Sequence, residues 1–148
     1  MPGVQDDGSV NAEALRTWVM RARELAAACG RSEVADSYIG QSLAFSPSDP
    51  DGMWPHQGVR DLIQELASPG LEDDWQIQIL NNRGVTVRLP TDGGEQERTL
   101  VKRYQNDAKR MSARWPRTAA VLRAIAASYQ RSATEHDQQA ELTQDFWR

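Results

Sequence analysis

A single cysteine, Cys29, is all the thiol chemistry in this chain, so no intrachain disulfide can brace it. Stability must come from a packed core, and the expected compartment is a reducing cytoplasm. No run approaches the roughly 20 apolar residues needed to cross a bilayer. The opening MPGVQDDGSV has neither a basic start nor an apolar stretch, unlike a secretory signal. Residues 1–9 read as a disordered leader, and residues 10–148 as one domain.

Catalytic chemistry is equally sparse. The only histidines, His56 and His136, have no Cys, His or carboxylate at a convincing metal-ligand spacing. His136 lies between Glu135 and Asp137, but adjacent helical positions diverge. Gly93-Gly94 leads into Glu95, which repels a phosphate, and neither a GK[ST] loop nor a G-x-S-x-G elbow occurs. Asp49 and Asp51 before Gly52 hint at calcium, yet that register puts Pro47 and Gly58 where an EF-hand needs carboxylates. Cys29 ends an Ala-rich helical face and reads as packing. No catalytic residue, metal ligand or cofactor site is assigned.

Amphipathic helices are what the sequence does contain. The organising stretch is Glu95 to Tyr129, two helical patterns joined at Trp115-Pro116. Leu100, Tyr104, Ala108, Met111 and Trp115 share one face of the first, and Ala119, Leu122, Ile125, Ala126 and Tyr129 one face of the second. The second pattern extends into the polar tail. There Phe146 and Trp147 either fray, pin the terminus or meet a partner.

Upstream, Asn11 caps a helix bearing Leu15, Trp18, Val19, Ala22, Leu25, Ala26 and Cys29 on one stripe, ended by Gly30. Val10 and Leu15 form a hydrophobic staple. Ser32 caps a second helix with Val34, Ile39 and Leu43 inward, and Tyr38 and Phe45 as further candidates. SPSDPDGMW is a loop whose Met53 and Trp54 fold back on the core. Pro55 opens a third helix with Val59, Leu62, Ile63 and Leu66 buried.

The stretch 71–89 reads two ways. Alternation at Trp75, Ile77, Ile79 and at Val85, Val87, Leu89 fits a short β-hairpin at about 74–89. Ser68-Pro69, the carboxylates at 72–74 and Gly84 fit a helix over about 71–83, with Val85 packing back. The helix is favoured, because a lone hairpin needs a third strand and none is evident. The fold expected is a single all-α domain of five or six helices, bundle-like or orthogonal. Its core draws on Leu15, Trp18, Leu25, Ile39, Leu43, Leu62, Ile63, Leu66, Trp75, Leu100, Tyr104, Met111, Trp115, Leu122, Ile125 and Tyr129. Of the five tryptophans, Trp18 and Trp115 read as core, and Trp54 and Trp75 as half-buried seals.

Charge is unevenly spread. Residues 98–131 hold nine cations against the one anion Asp107, whereas the remainder holds eight cations and twenty anions. Such a block either binds an anionic partner or balances the acidic remainder of its own fold. If nucleic acid binds, Arg98, Lys102, Lys109, Arg110 and Arg117 are the phosphate contacts. Asn81, Asn82 and Arg83 are the candidate site of an enzyme completed by another chain, as polar loop positions beside a rigid helix.

The chain also resembles a helical region near the C-terminus of large uncharacterised bacterial proteins, over most of residues 12–142. Asn82-Arg83-Gly84-Val85, Gly94-Glu95-Gln96-Glu97-Arg98 and Trp115-Pro116-Arg117-Thr118-Ala119 carry the resemblance. It implies a bacterial tail module, separated from larger partner domains by a truncated or split gene, and it brings no activity or ligand. The expected function is therefore a non-catalytic interaction or scaffold module with a protein partner. Nucleic-acid binding through 98–131 is the second reading, and no membrane association is expected.

Overall fold

The computed structural model describes residues 1–89 and 91–146, and these form six helices with no strand. They are α1 (Ala12–Ala28), α2 (Ser32–Leu43), α3 (Gln57–Leu66), α4 (Pro69–Asn82), α5 (Glu95–Met111) and α6 (Pro116–Phe146). Two helix pairs build the domain: α5 lies along α6, and α2 along α4. The first helix closes on α2 and α3, while α3 and α4 join the two pairs by packing on α6.

The helices start where side chains satisfy free backbone N–H groups. Asn11 accepts from the Ala14 N–H at 2.9 Å. Ser68 accepts from the Leu71 N–H at 3.4 Å, with Pro69 in the first turn, where its missing donor costs nothing. That cap, and Gly84 at φ 68° just past Arg83, bound a helix over Pro69–Asn82, and no strand forms in the 84–89 segment after it; the hairpin alternative is overturned. Val85 does not pack back, being 98% exposed.

Starts of the next two helices shift slightly. Ser32 is the first residue of α2 rather than its cap, and Arg31 precedes it without a side-chain cap bond. His56, not Pro55, opens α3, its Nδ1 accepting from the Gly58 N–H at 3.0 Å. Residues 1–9, expected as a disordered leader, place Met1 against the core and Val4 opposite Val10, and the Gly3 carbonyl accepts from the Asn11 N–H.

The core is continuous from Leu15 and Val19 through Ile39, Leu43, Ile63 and Trp75 to Met111, Leu122 and Ile125. Several core assignments fail in one direction. Trp18 is 39% and Leu25 52% exposed, because α1 meets neighbours on one side only and buries the narrower stripe of Leu15 and Val19. For the same reason Cys29 is exposed, not packed. Val34, Tyr38 and Phe45 also face outward, since α2 turns Ile39, Gly40 and Leu43 toward α4. Leu66 and Leu100 are only partly buried. Trp75, expected half-buried, is fully enclosed, whereas Trp54 is half-buried as expected. At the far end Phe146 is exposed, and Trp147 lies outside the described residues.

Candidate functional site

Three clusters bring titratable or aromatic groups together, and each is built from separate elements. The first lies under the 46–57 loop. Asp49 accepts from the Gln57 N–H at 2.9 Å, pairs with the buried Arg60, and lies 3.4 Å from His56 Nε2. Both His56 ring nitrogens are therefore engaged, Nδ1 by Gly58 and Nε2 by Asp49. Arg60 in turn stacks on the Trp115 ring, 4.2 Å from its centroid, and Arg114 also lies over that ring at 4.5 Å. Trp115 Nε1 donates to Asp61 at 2.6 Å. This knot fastens the loop and α3 to the α5–α6 corner.

The second cluster is the basic pair α5–α6, where the structure divides the nine cations. Arg98 bridges Asp137 at 2.7 Å and Glu95 at 3.1 Å; Arg117 bridges Glu72 at 2.6 Å; Arg110 lies 4.0 Å from Asp51. The Gly94 N–H, and then Arg98, hold the Asp137 carboxyl below its ordinary range. These three balance the acidic remainder. Lys102, Arg103, Lys109, Arg114, Arg123 and Arg131 have no ion pair among the described residues. Of the five expected phosphate contacts, Lys102 and Lys109 thus stay uncommitted, Arg98 and Arg117 do not, and Arg110 is loosely held. A groove of about 570 Å³ runs between the helices, with Gln105 and Lys109 on α5 facing Arg123 and Gln130 on α6 over an Ala126 floor. Sequence reasoning passed over Arg123, which the antiparallel register brings opposite Lys109.

The third cluster surrounds the end of α4. Asn82 and Arg83 line a cavity of about 240 Å³ with Trp54, Arg103, Tyr104 and Tyr129, while Asn81 does not reach it. The aromatic rings form a ladder. Trp75 stacks on Trp54 with centroids 5.9 Å apart, Trp54 meets Tyr104 edge-on at 6.4 Å, and Tyr104 stacks on Tyr129 at 5.9 Å. Arg83 lies over Tyr129 and Arg103 over Tyr104, at 5.2 and 5.8 Å. Burial pushes both tyrosine hydroxyls above their ordinary pKa, so they remain neutral donors near neutral pH.

Behind the cavity Glu97 is completely buried, held by Arg83 at 2.7 Å and by both arms of Arg88 at 2.7 and 3.3 Å. His136 Nε2 stands 4.0 Å away. Burial alone pushes the Glu97 carboxyl up; the Arg88 and Arg83 hydrogen bonds outweigh it and bring it to about 2. Glu97 lies in the first turn of α5, where a carboxylate is ordinary, and nothing in its spacing announces the two arginines.

Among the described residues no three metal-ligating side chains converge, and no helix is long and apolar enough to cross a membrane. The fold and these clusters define an all-α domain with a basic helical pair and an aromatic pocket. Comparison with known proteins adds no relative: no protein family matches, and neither curated proteins nor solved structures give a match.

Proposed function

We propose that this domain is a non-catalytic helical interaction module that holds nucleic acid on the outer face of α5–α6. The observation that carries the reading is the division of the basic block into cations spent on ion pairs and cations left free. Lys109 and Arg123 are free and face each other across one groove between two antiparallel helices, and the free Lys102 lies seven residues before Lys109 on α5. Long, mobile, unpaired cations suit phosphate contacts, which need charge and reach rather than a fixed partner. The acidic surplus sits outside residues 98–131, and the carboxylates of α6 (Glu135, Asp137, Glu141 and Asp145) lie C-terminal to Gln130, the last groove residue on that helix. Repulsion of a polyanion is thereby kept off the binding face.

The test is a salt titration of binding to short single-stranded RNA and duplex DNA. Lys102→Glu with Lys109→Glu should weaken binding at least about tenfold and flatten the log–log salt slope by about 2. Both side chains are exposed, so the thermal midpoint should hold. Unchanged affinity in the double variant ends the reading.

A second reading rests on a different surface. Ala14, Trp18, Ala22 and Leu25 line an open groove of about 690 Å³ along α1, an apolar strip that no element of the described fold covers. It favours a protein partner, which an uncovered apolar strip on a helix suits. A photo-crosslinker at position 18 should trap one discrete protein adduct in cells, lost on Leu25→Lys. A diffuse smear, unchanged by Leu25→Lys, would reduce the strip to ordinary surface.

A further inference from the structure

The cavity at the end of α4 lies on the flank of α5 opposite the basic groove, and its chemistry is one-sided. Tyr104 and Tyr129 are each more than nine-tenths buried, yet neither hydroxyl has a hydrogen-bond partner among the described residues. Neither phenol oxygen is sealed off from the cavity, so both stay available to a ligand there. Arg103 stands at the rim with no ion pair. Arg83 shares Glu97 with Arg88, leaving that trio of charges net positive. Asn82, the remaining polar side chain, is spent: its Nδ2 donates to the Ala44 carbonyl at 3.3 Å and its Oδ1 accepts from Gln78 at 2.8 Å. What remains to greet a ligand is therefore donors and positive charge, set against the flat walls of Trp54, Tyr104 and Tyr129.

We infer that this cavity is a binding site for a small planar organic acid, an aromatic ring carrying a carboxylate or phosphate. The oxyanion takes the Arg103 guanidinium fork and a tyrosine hydroxyl, and the ring lies against the aromatic ladder. Size sets the class. At a liquid share of about 30 Å³ per water, 240 Å³ equals about eight waters: room for one ring and its acid group, below the usual range for larger ligands. The inference is independent of nucleic-acid binding, since Lys102, Lys109 and Arg123 take no part in it.

The test titrates the full chain with benzoate, phenyl phosphate, benzamide and inorganic phosphate. It follows tryptophan fluorescence, with Trp54→Phe marking the signal that comes from the cavity. Benzoate or phenyl phosphate should bind with a Kd of about 1 mM or tighter. Benzamide, which keeps the ring and loses the charge, should bind at least about tenfold more weakly. Inorganic phosphate should also bind more weakly than phenyl phosphate, because it leaves the aromatic walls unused. Arg103→Met keeps the apolar stem of an exposed residue, so it should leave the thermal midpoint unchanged and cost about tenfold in affinity. The inference is overturned by benzamide binding as well as benzoate, by phosphate matching phenyl phosphate, or by Arg103→Met binding unchanged. Absence of any saturable signal overturns it too.

Discussion

Replacing both Arg83 and Arg88 by Met is expected to lose about 3–5 kcal/mol of stability, the cost of stranding a buried charge. Glu97 has no accessible surface, and among the described residues the two guanidiniums are the only cations hydrogen-bonded to it. Adding Glu97→Leu should recover most of the loss, because an apolar side chain needs no partner at that site. The pH dependence supplies a second signature. In the native protein Glu97 titrates at about 2, below its ordinary 4.5, so its contribution is fully present above pH 4.5 and disappears as pH falls toward 2. That contribution is on the order of 3 kcal/mol. In the double variant burial acts unopposed and raises the carboxyl, which reverses the sign: this site then costs least at acid pH, where Glu97 is neutral. Urea unfolding at pH 4.5 and pH 7 separates the cases. A variant that loses under about 1 kcal/mol at pH 7 would show that Glu97 reaches water or another cation.

The same residue marks where sequence stops being informative. Helices came from periodicity, and α4 came from local chemistry: Ser68, Pro69 and Gly84 are start and stop signals readable one residue at a time. Glu97 sits in the first turn of α5, where a carboxylate is ordinary, and its partners come from the segment after α4 by a pairing with no period. Arg60 is a parallel case. It interrupts the apolar face of Val59, Leu62 and Ile63, yet it is buried, stacked under Trp115 and paired to Asp49.

Errors on the other side share one cause. A stripe shows which face of a helix is apolar, whereas the number of neighbours decides how wide a band is covered. Hence Trp18, Leu25 and Tyr38 stay outside. Half of the proposed sites were nevertheless legible. The +8 block was plain in composition, and Asn82 and Arg83 were singled out as polar loop positions. Which cations are free, and that Trp54, Tyr104 and Tyr129 gather beside Arg83, depends on contacts between residues dozens of positions apart.

Gly40 and Gly70 should respond to alanine with opposite signs. Both occupy helices, where Ala is intrinsically better than Gly by about 1 kcal/mol. At Gly70 an added Cβ meets nothing, so Gly70→Ala should stabilise by about 0.5–1 kcal/mol. At Gly40 the Cβ would collide with the Leu71 carbonyl oxygen and lie 3.0 Å from the Trp75 backbone nitrogen. Neither obstacle is a flexible side-chain tip that could swing aside. The whole of α4 would have to withdraw from α2, opening space around Leu71 and Trp75, both essentially fully buried. Overpacking of that kind costs about 1–3 kcal/mol and exceeds the propensity gain. Gly40→Ala should therefore destabilise by about 2 kcal/mol in urea melts, and Gly40→Val by more, with near-ultraviolet dichroism of the Trp75–Trp54 stack reduced as well. If Gly40→Ala instead stabilised the protein as Gly70→Ala does, α2 and α4 would not touch backbone to backbone. The pocket that rests on their C-terminal ends, through Ala44, Asn82 and Arg83, would lose its frame.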